Sequence, residues 1–286
     1  MKPLELFLLF AFYLNIINAS NNDGTIGARS SALANASSTL FDTWSTRNNQ
    51  GSLAFVRKIE IGAFYGNSFL IKELSYNGFA ITLPIKKGTF GFLYSSFGYQ
   101  LYCESHTNLA YSLKLNKNFG VGISIDYLNT KIADLYGHAN TITGSVGLTA
   151  KLTEQLLFSS HIYNPFKTKI TNYNNEKIPT IFKFGAQYII SKKVSILIEA
   201  EKTSGLKINI KSGIEYCPTS LIYLRIGAAS YPTQASFGFG INYHNLKIDL
   251  SSMYHNILGI SPQIGLSYSF GKEKNKLIEN TKTEEK

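Results

Sequence analysis

From about residue 58 to residue 270 the chain alternates, position by position, between apolar side chains and polar or small ones. In 119–127, Phe119, Val121, Ile123, Ile125 and Tyr127 share one face, while Gly120, Gly122, Ser124 and Asp126 share the other. The same two-residue period runs through 108–115, 181–190, 207–216, 236–243 and 263–270. Successive side chains on a strand point to opposite faces, so each segment predicts a strand with one apolar and one polar or small face. Carried along the chain, the pattern predicts about fourteen strands, at 58–65, 73–84, 88–99, 106–116, 119–130, 138–151, 154–164, 179–190, 194–203, 207–217, 220–231, 234–243, 246–255 and 262–270. Most are longer than the ~5–6 residues of a globular strand and match the ~9–11 of a tilted membrane strand. Tyrosines recur near their ends (Tyr65, Tyr99, Tyr127, Tyr163, Tyr188), where an interfacial girdle places them. The fold class expected is all-β: an integral outer-membrane antiparallel β-barrel of about fourteen strands with an N-terminal plug segment.

The connections set a topology. Alternate turns are tight, at 85–87, 117–118, 152–153, 191–193, 218–219 and 244–245, and are expected on the periplasmic side. The others are longer on the whole, the largest being 165–178, and are expected outside. Residues 1–19 read as a signal peptide, with Lys2, an apolar run from Leu6 to Ile17, and Asn18-Ala19 before Ser20. The organisation expected is therefore signal peptide 1–19, plug segment 20–57, barrel 58–270 and a charged periplasmic tail 271–286. The location expected is the cell outer membrane.

Composition changes this picture little. Charged residues make up 16% of the 286 positions, below the ~25% of an ordinary soluble domain, and there are 18 Tyr and 19 Phe. Mean hydropathy is −0.03, as when lipid-facing and water-facing residues cancel. The net charge of +10 comes from scattered basic residues, several in tight turns, with no basic stripe or nucleic-acid motif, so no nucleic-acid partner is expected. Outer-membrane lipids are. The two cysteines, Cys103 and Cys217, fall at opposite barrel ends and are expected as free thiols.

Residues 27–54 carry a resemblance. Gly27-Ala28-Arg29-Ser30-Ser31-Ala32-Leu33-Ala34-Asn35-Ala36, then Asp42-Thr43-Trp44, then Asn49-Gln50-Gly51-Ser52-Leu53-Ala54, resemble the N-terminal signature of the FadL-like outer-membrane barrels, closest to the PorV/PorQ branch associated with type IX secretion. Gln50-Gly51-Ser52 stand where that family has Pro-Ala-Gly. The resemblance implies a fourteen-stranded barrel with its N-terminal segment folded into the lumen.

The polar strand faces place Lys114, Asp126, Lys183, Glu199, Glu201, Lys211, Glu215, Arg225, Lys247 and Asp249 toward the lumen. Turn arithmetic sets Glu199 opposite Lys211, Glu201 near Lys183, and Glu215 diagonal to Arg225. Such charges form either a structural ladder, or a selective path or docking ring for the plug with Arg29 or Asp42 as partners; Trp44 is a further plug candidate. His106, His138 and His161 fall near outer strand ends, the usual place of solvated histidines. No metal-spaced cluster, catalytic constellation or phosphate loop is present in the sequence, so neither an enzyme nor a cofactor is expected. Two functions remain: a secretion-associated component docking with other subunits of an outer-membrane complex, and a FadL-like passage protein for a small hydrophobic ligand. The prolines at 84, 165, 179, 218, 232 and 262 fall at predicted strand ends, leaving no Pro-broken strand to open the wall, which favours the first.

Overall fold

The structure, a computed structural model, describes residues 25–132, 137–169 and 178–271. The expected signal peptide 1–19, the first residues of the expected plug segment, most of the loop 165–178 and the tail beyond Gly271 lie outside the described residues. Within them the chain forms β1 (Ile59–Asn67), β2 (Ser75–Ile85), β3 (Gly88–Tyr99), β4 (Tyr102–Lys114), β5 (Phe119–Ile132), β6 (His138–Lys151) and β7 (Leu156–Tyr163). These are followed by β8 (Ile181–Ser191), β9 (Val194–Thr203), β10 (Asn209–Thr219), β11 (Ile222–Ser230), β12 (Thr233–Tyr243), β13 (Leu246–His255) and β14 (Gly259–Phe270). Every strand pairs antiparallel with its sequence neighbours, and β14 returns to β1 in a register running from Ile59↔Phe270 to Gly66↔Gln263. The sheet is a closed barrel with no free edge.

The two faces separate as the alternation requires. Ile61, Phe79, Leu109, Ile125, Phe184, Ile214, Phe237 and Leu266 are exposed on the outer wall, while Thr82, Asn108, Ser124, Thr149, Lys183 and Glu199 are buried inside. Polar within and apolar without is the reverse of a water-soluble protein. Among the described residues no helix is long and apolar enough to cross a membrane, so any crossing is made by strands.

The strands outrun their predicted ends at one rim. β1 continues to Asn67, β4 begins at Tyr102 and β14 at Gly259. In β1 and β4 the side chains there become polar on both faces, and in β14 Gly259 and Pro262 break the pattern, but the backbone ladder persists, as in the Tyr99↔Tyr102 pair. Residues 68–74, partly assigned to a strand by their sequence, form two short 3-10 turns, Ser68–Leu70 and Lys72–Leu74, with Phe69 and Leu70 in the left-handed region. Pro262 lies inside β14 opposite Ser252, not at its end. At the other rim the connections are two to four residues long.

Residues 25–57 contain three short helices, α1 (Ala28–Ala32), α2 (Ser45–Asn48) and α3 (Gln50–Leu53). Helices of this length are not stable in isolation, so contacts with the barrel's inner face hold them. Ile26 and Trp44 pack with Phe64, Ala80 and Leu93; Leu33, Ala36 and Leu40 pack with Leu197. At Gly213 an added Cβ would lie 2.8 Å from that of Leu33, so only glycine lets α1's end approach the wall so closely. Asn49 joins the pieces: its Oδ1 accepts from Gly51 N–H at 2.9 Å, and its Nδ2 donates to the carbonyls of Ser38 (2.7 Å) and Leu148 (3.2 Å).

The exposed apolar belt predicts lipid contact. Ile125→Arg, at mid-strand on the outer face, is expected to destabilise the barrel by ~2–4 kcal/mol. Denaturant titration of the protein folded in liposomes checks this, with Ser124→Thr on the inner face as the mild comparison.

Candidate functional site

Five strands bring the predicted lumen charges together. Lys183 on β8 is paired in register with Glu201 on β9, and Glu199 on β9 with Lys211 on β10. Lys211 Nζ donates to Glu201 Oε2 at 2.7 Å and to Glu199 Oε1 at 3.4 Å; Lys183 Nζ lies 3.6 Å from Glu201. Glu215 and Arg225 are direct cross-strand partners rather than diagonal ones. The β10–β11 turn closes on Thr219↔Ile222 after a bulge that shifts the register beyond Tyr216, and this sets the two opposite each other. Arg225 Nε donates to Glu215 at 2.7 Å and its Nη1 to Asp249 at 2.6 Å.

The N-terminal segment inserts its own charges into this lattice. Arg29, from α1, forks onto Glu215 through Nε (2.9 Å) and Nη2 (2.7 Å), and its Nη1 reaches Asp42 at 3.3 Å. Glu199 accepts the backbone N–H groups of Ser37 and Ser38 at 3.1 and 2.9 Å. Lys183 donates to Thr25 Oγ1 at 3.2 Å. Trp44 is not part of the lattice; its ring meets Phe64 edge-on with centroids 5.4 Å apart. Buried charges are tolerated only when paired and hydrogen-bonded. Arg29 and Glu199 each join the segment to the wall while serving as such a partner.

The histidines depart from expectation. His138 is exposed at the start of β6, but His106 and His161 are buried on the inner face. β4 starts four residues earlier than predicted, which moves His106 away from the rim. His106 Nε2 meets Asp126 Oδ1 at 2.7 Å, and Ser124 Oγ donates to Asp126 Oδ2 at 2.8 Å. Asp126 thus belongs to this pair rather than to the lysine–glutamate lattice. Among the described residues no His/Cys/Asp/Glu group is arranged to hold a metal.

Above the N-terminal segment, in the loop-side half of the lumen, lies a cavity of about 660 Å³. Thr25, Ile26, Ala34 and Arg47 contribute to its lining from the segment, Arg47 donating to Ser95 Oγ at 3.4 Å. An apolar arc (Phe64, Phe69, Leu74, Tyr76, Phe97) faces a polar one that includes Glu201 and Lys211. A second, apolar depression of about 520 Å³ is lined by Leu224, Phe237, Phe239 and Leu250 of the outer wall. The strand ladder is continuous there, so it is not an opening. Sequence reasoning missed Arg47 and the cavity. Parity along β3 would have pointed Ser95 inward, but residues 25–57 have no period from which to place Arg47.

The fold is that of the FadL-type barrels. The Ralstonia pickettii toluene transporter TbuX superposes with a TM-score of 0.69 at 12% identity, over 88% of this chain and 100% of that one. The Pseudomonas putida toluene transporter TodX gives 0.66 at 12% identity over 88% and 100%, and a Pseudomonas aeruginosa FadL homologue 0.63 at 11% over 86% and 99%. At such identities the likeness is one of fold, and it is silent on the PorV/PorQ branch. No family model and no curated protein matches the sequence.

The lattice predicts a non-additive response. Arg29→Leu leaves Glu215 and Asp42 each short of a partner and is expected to cost ~3–5 kcal/mol, whereas Arg29→Leu with Glu215→Leu is expected to cost less than the sum of the two single changes. Unfolding titrations of the three variants measure this, and hydrogen exchange over residues 25–57 shows whether the segment loosens with Arg29→Leu.

Proposed function

We propose that the chain is a non-enzymatic outer-membrane barrel through which small hydrophobic molecules pass, with residues 25–57 as its plug. The observation that carries this reading is the loop-side cavity. It has an aromatic and aliphatic arc large enough for a small apolar ligand, and residues 25–57 lie beneath it inside a closed barrel. The fold adds support, since solved proteins sharing it are toluene transporters. An apolar outer belt and a closed ladder suit the outer membrane, where bacterial barrels reside. The plug reading rests on the ionic and hydrogen-bonded seating of Arg29, Ser37 and Ser38 on the inner wall. Passage then requires the segment to shift or a path to open beside it, and Arg29–Glu215 is the contact to break. A docking role in a secretion complex has weaker support, because the cavity has no part in it.

The reading predicts uptake of a small aromatic hydrocarbon such as toluene by cells or liposomes carrying the protein. Ala229 lines the cavity with its side chain buried, and Ala229→Trp is expected to slow uptake while leaving the barrel folded. Uptake equal to that of empty vesicles, together with a stoichiometric protein partner recovered from gently solubilised membranes, would reverse the assignment in favour of the complex component.

A further inference from the structure

At the tight-turn rim two lysines converge on two aromatic rings. Lys151 Nζ stands 4.3 Å from the centre of the Phe55 ring and 4.8 Å from that of Phe41, and Lys114 Nζ stands 5.3 Å from Phe55. The rings are themselves packed 4.9 Å apart. Lys114 and Arg57 are the charged groups whose fields act on Lys151. Lys114 and Lys151 end β4 and β6 on the inner parity, so both overhang the lumen mouth where residues 55–58 lead into β1. Among the described residues no carboxylate lies within 4.0 Å of any of the three.

The cations buried deeper in the barrel, Lys183, Lys211 and Arg225, are matched by acids, whereas at this mouth Arg57 and Lys114 are exposed, Lys151 is half-buried, and among the described residues none of the three has a carboxylate beside it. Ring faces attract ammonium groups, but they leave the charge unneutralised and the hydrogen-bond donors free. A cation–π staple fixing Phe55 needs one lysine; gathering two lysines and an arginine costs mutual repulsion that an anion would relieve. The position of the rings is built in. An added Cβ at Gly120 would lie 2.8 Å from the Phe55 ring, so glycine there lets the ring lie on the wall. The surrounding turns add Lys86, Lys87, Lys117, Lys192 and Lys193 against one acid, Glu154, a field that concentrates anions at this end.

We propose that Arg57, Lys114 and Lys151 form a binding site for an oxyanion, a phosphate or carboxylate group, at the tight-turn mouth of the lumen. The guanidinium offers a fork of donors and the ammoniums point charges, the combination that recognises such groups. The site stands whether or not the barrel passes hydrophobic molecules. The group could belong to a free anion or to a lipid head at the rim.

The test is titration of the full-length protein, in non-ionic detergent at fixed ionic strength, with inorganic phosphate followed by phosphorus NMR line broadening. Saturable binding is expected, weakened about tenfold or more (about 1.4 kcal/mol) in Lys114→Gln with Lys151→Gln, and unchanged in Lys86→Gln with Lys87→Gln, which alters turn charge alone. Heat-dependent gel migration confirms that each variant is a folded barrel. Displacement of phosphate by added phosphatidylglycerol identifies a lipid head as the source; an unaltered isotherm identifies a free anion. Non-saturable broadening, or equal loss in both variant pairs, overturns the proposal.

Discussion

Backbone hydrogen bonding governs this molecule. In lipid no water is available to satisfy an exposed N–H or C=O, so a sheet can cross only if its last strand returns to its first. The pairing of β14 with β1 over Ile59↔Phe270 to Gly66↔Gln263 meets that condition. Once closed, the two-residue period of every strand divides the wall into an outer face for lipid and an inner face for polar groups. The interior then has no apolar core of the usual kind, and polar or charged groups must satisfy one another there.

The N-terminal segment follows from that requirement. The wall alone leaves Glu215 and Glu199 only partly partnered, and residues 25–57 alone cannot hold three helices of four or five residues. Arg29 on Glu215, and the Ser37 and Ser38 amides on Glu199, serve both sides at once. The small apolar clusters of Trp44 with Phe64 and of Leu33 with Leu197 fill the gaps between these polar contacts. The cavity is the space left above the seated segment.

The barrel was legible because period two is a strong signal over strands of this length. β3, β6, β9 and β13 have the predicted ends, and turn length alone sets Glu199 against Lys211, as the register shows. Legibility fell where the period stops. The loop-side ends of β1 and β4 carry polar residues on both faces, and Gly259 and Pro262 interrupt that of β14, so these ladders extend beyond the alternation and take His106 inward with β4. The helices of the N-terminal segment are too short to carry a hydrophobic stripe. Their positions depend on partners 162 and 186 residues away in sequence, Ser37 to Glu199 and Arg29 to Glu215. Pro262 inside β14 shows that a missing donor is tolerated where the β1 ladder has already ended at Gln263.

The central claim is that the segment is seated against the inner wall in the membrane, and cross-linking tests it most directly. A Cβ at Gly265 of β14 would stand 3.3 Å from that of Ala28 in α1, close to the ~3.5–4.5 Å of a disulfide. Ala28→Cys with Gly265→Cys, in a background where Cys103 and Cys217 are replaced by serine, is to be mildly oxidised in intact outer membranes and run on a non-reducing gel. The account predicts prompt and near-complete formation of the internal disulfide. Two free thiols in a folded, membrane-embedded barrel would contradict it.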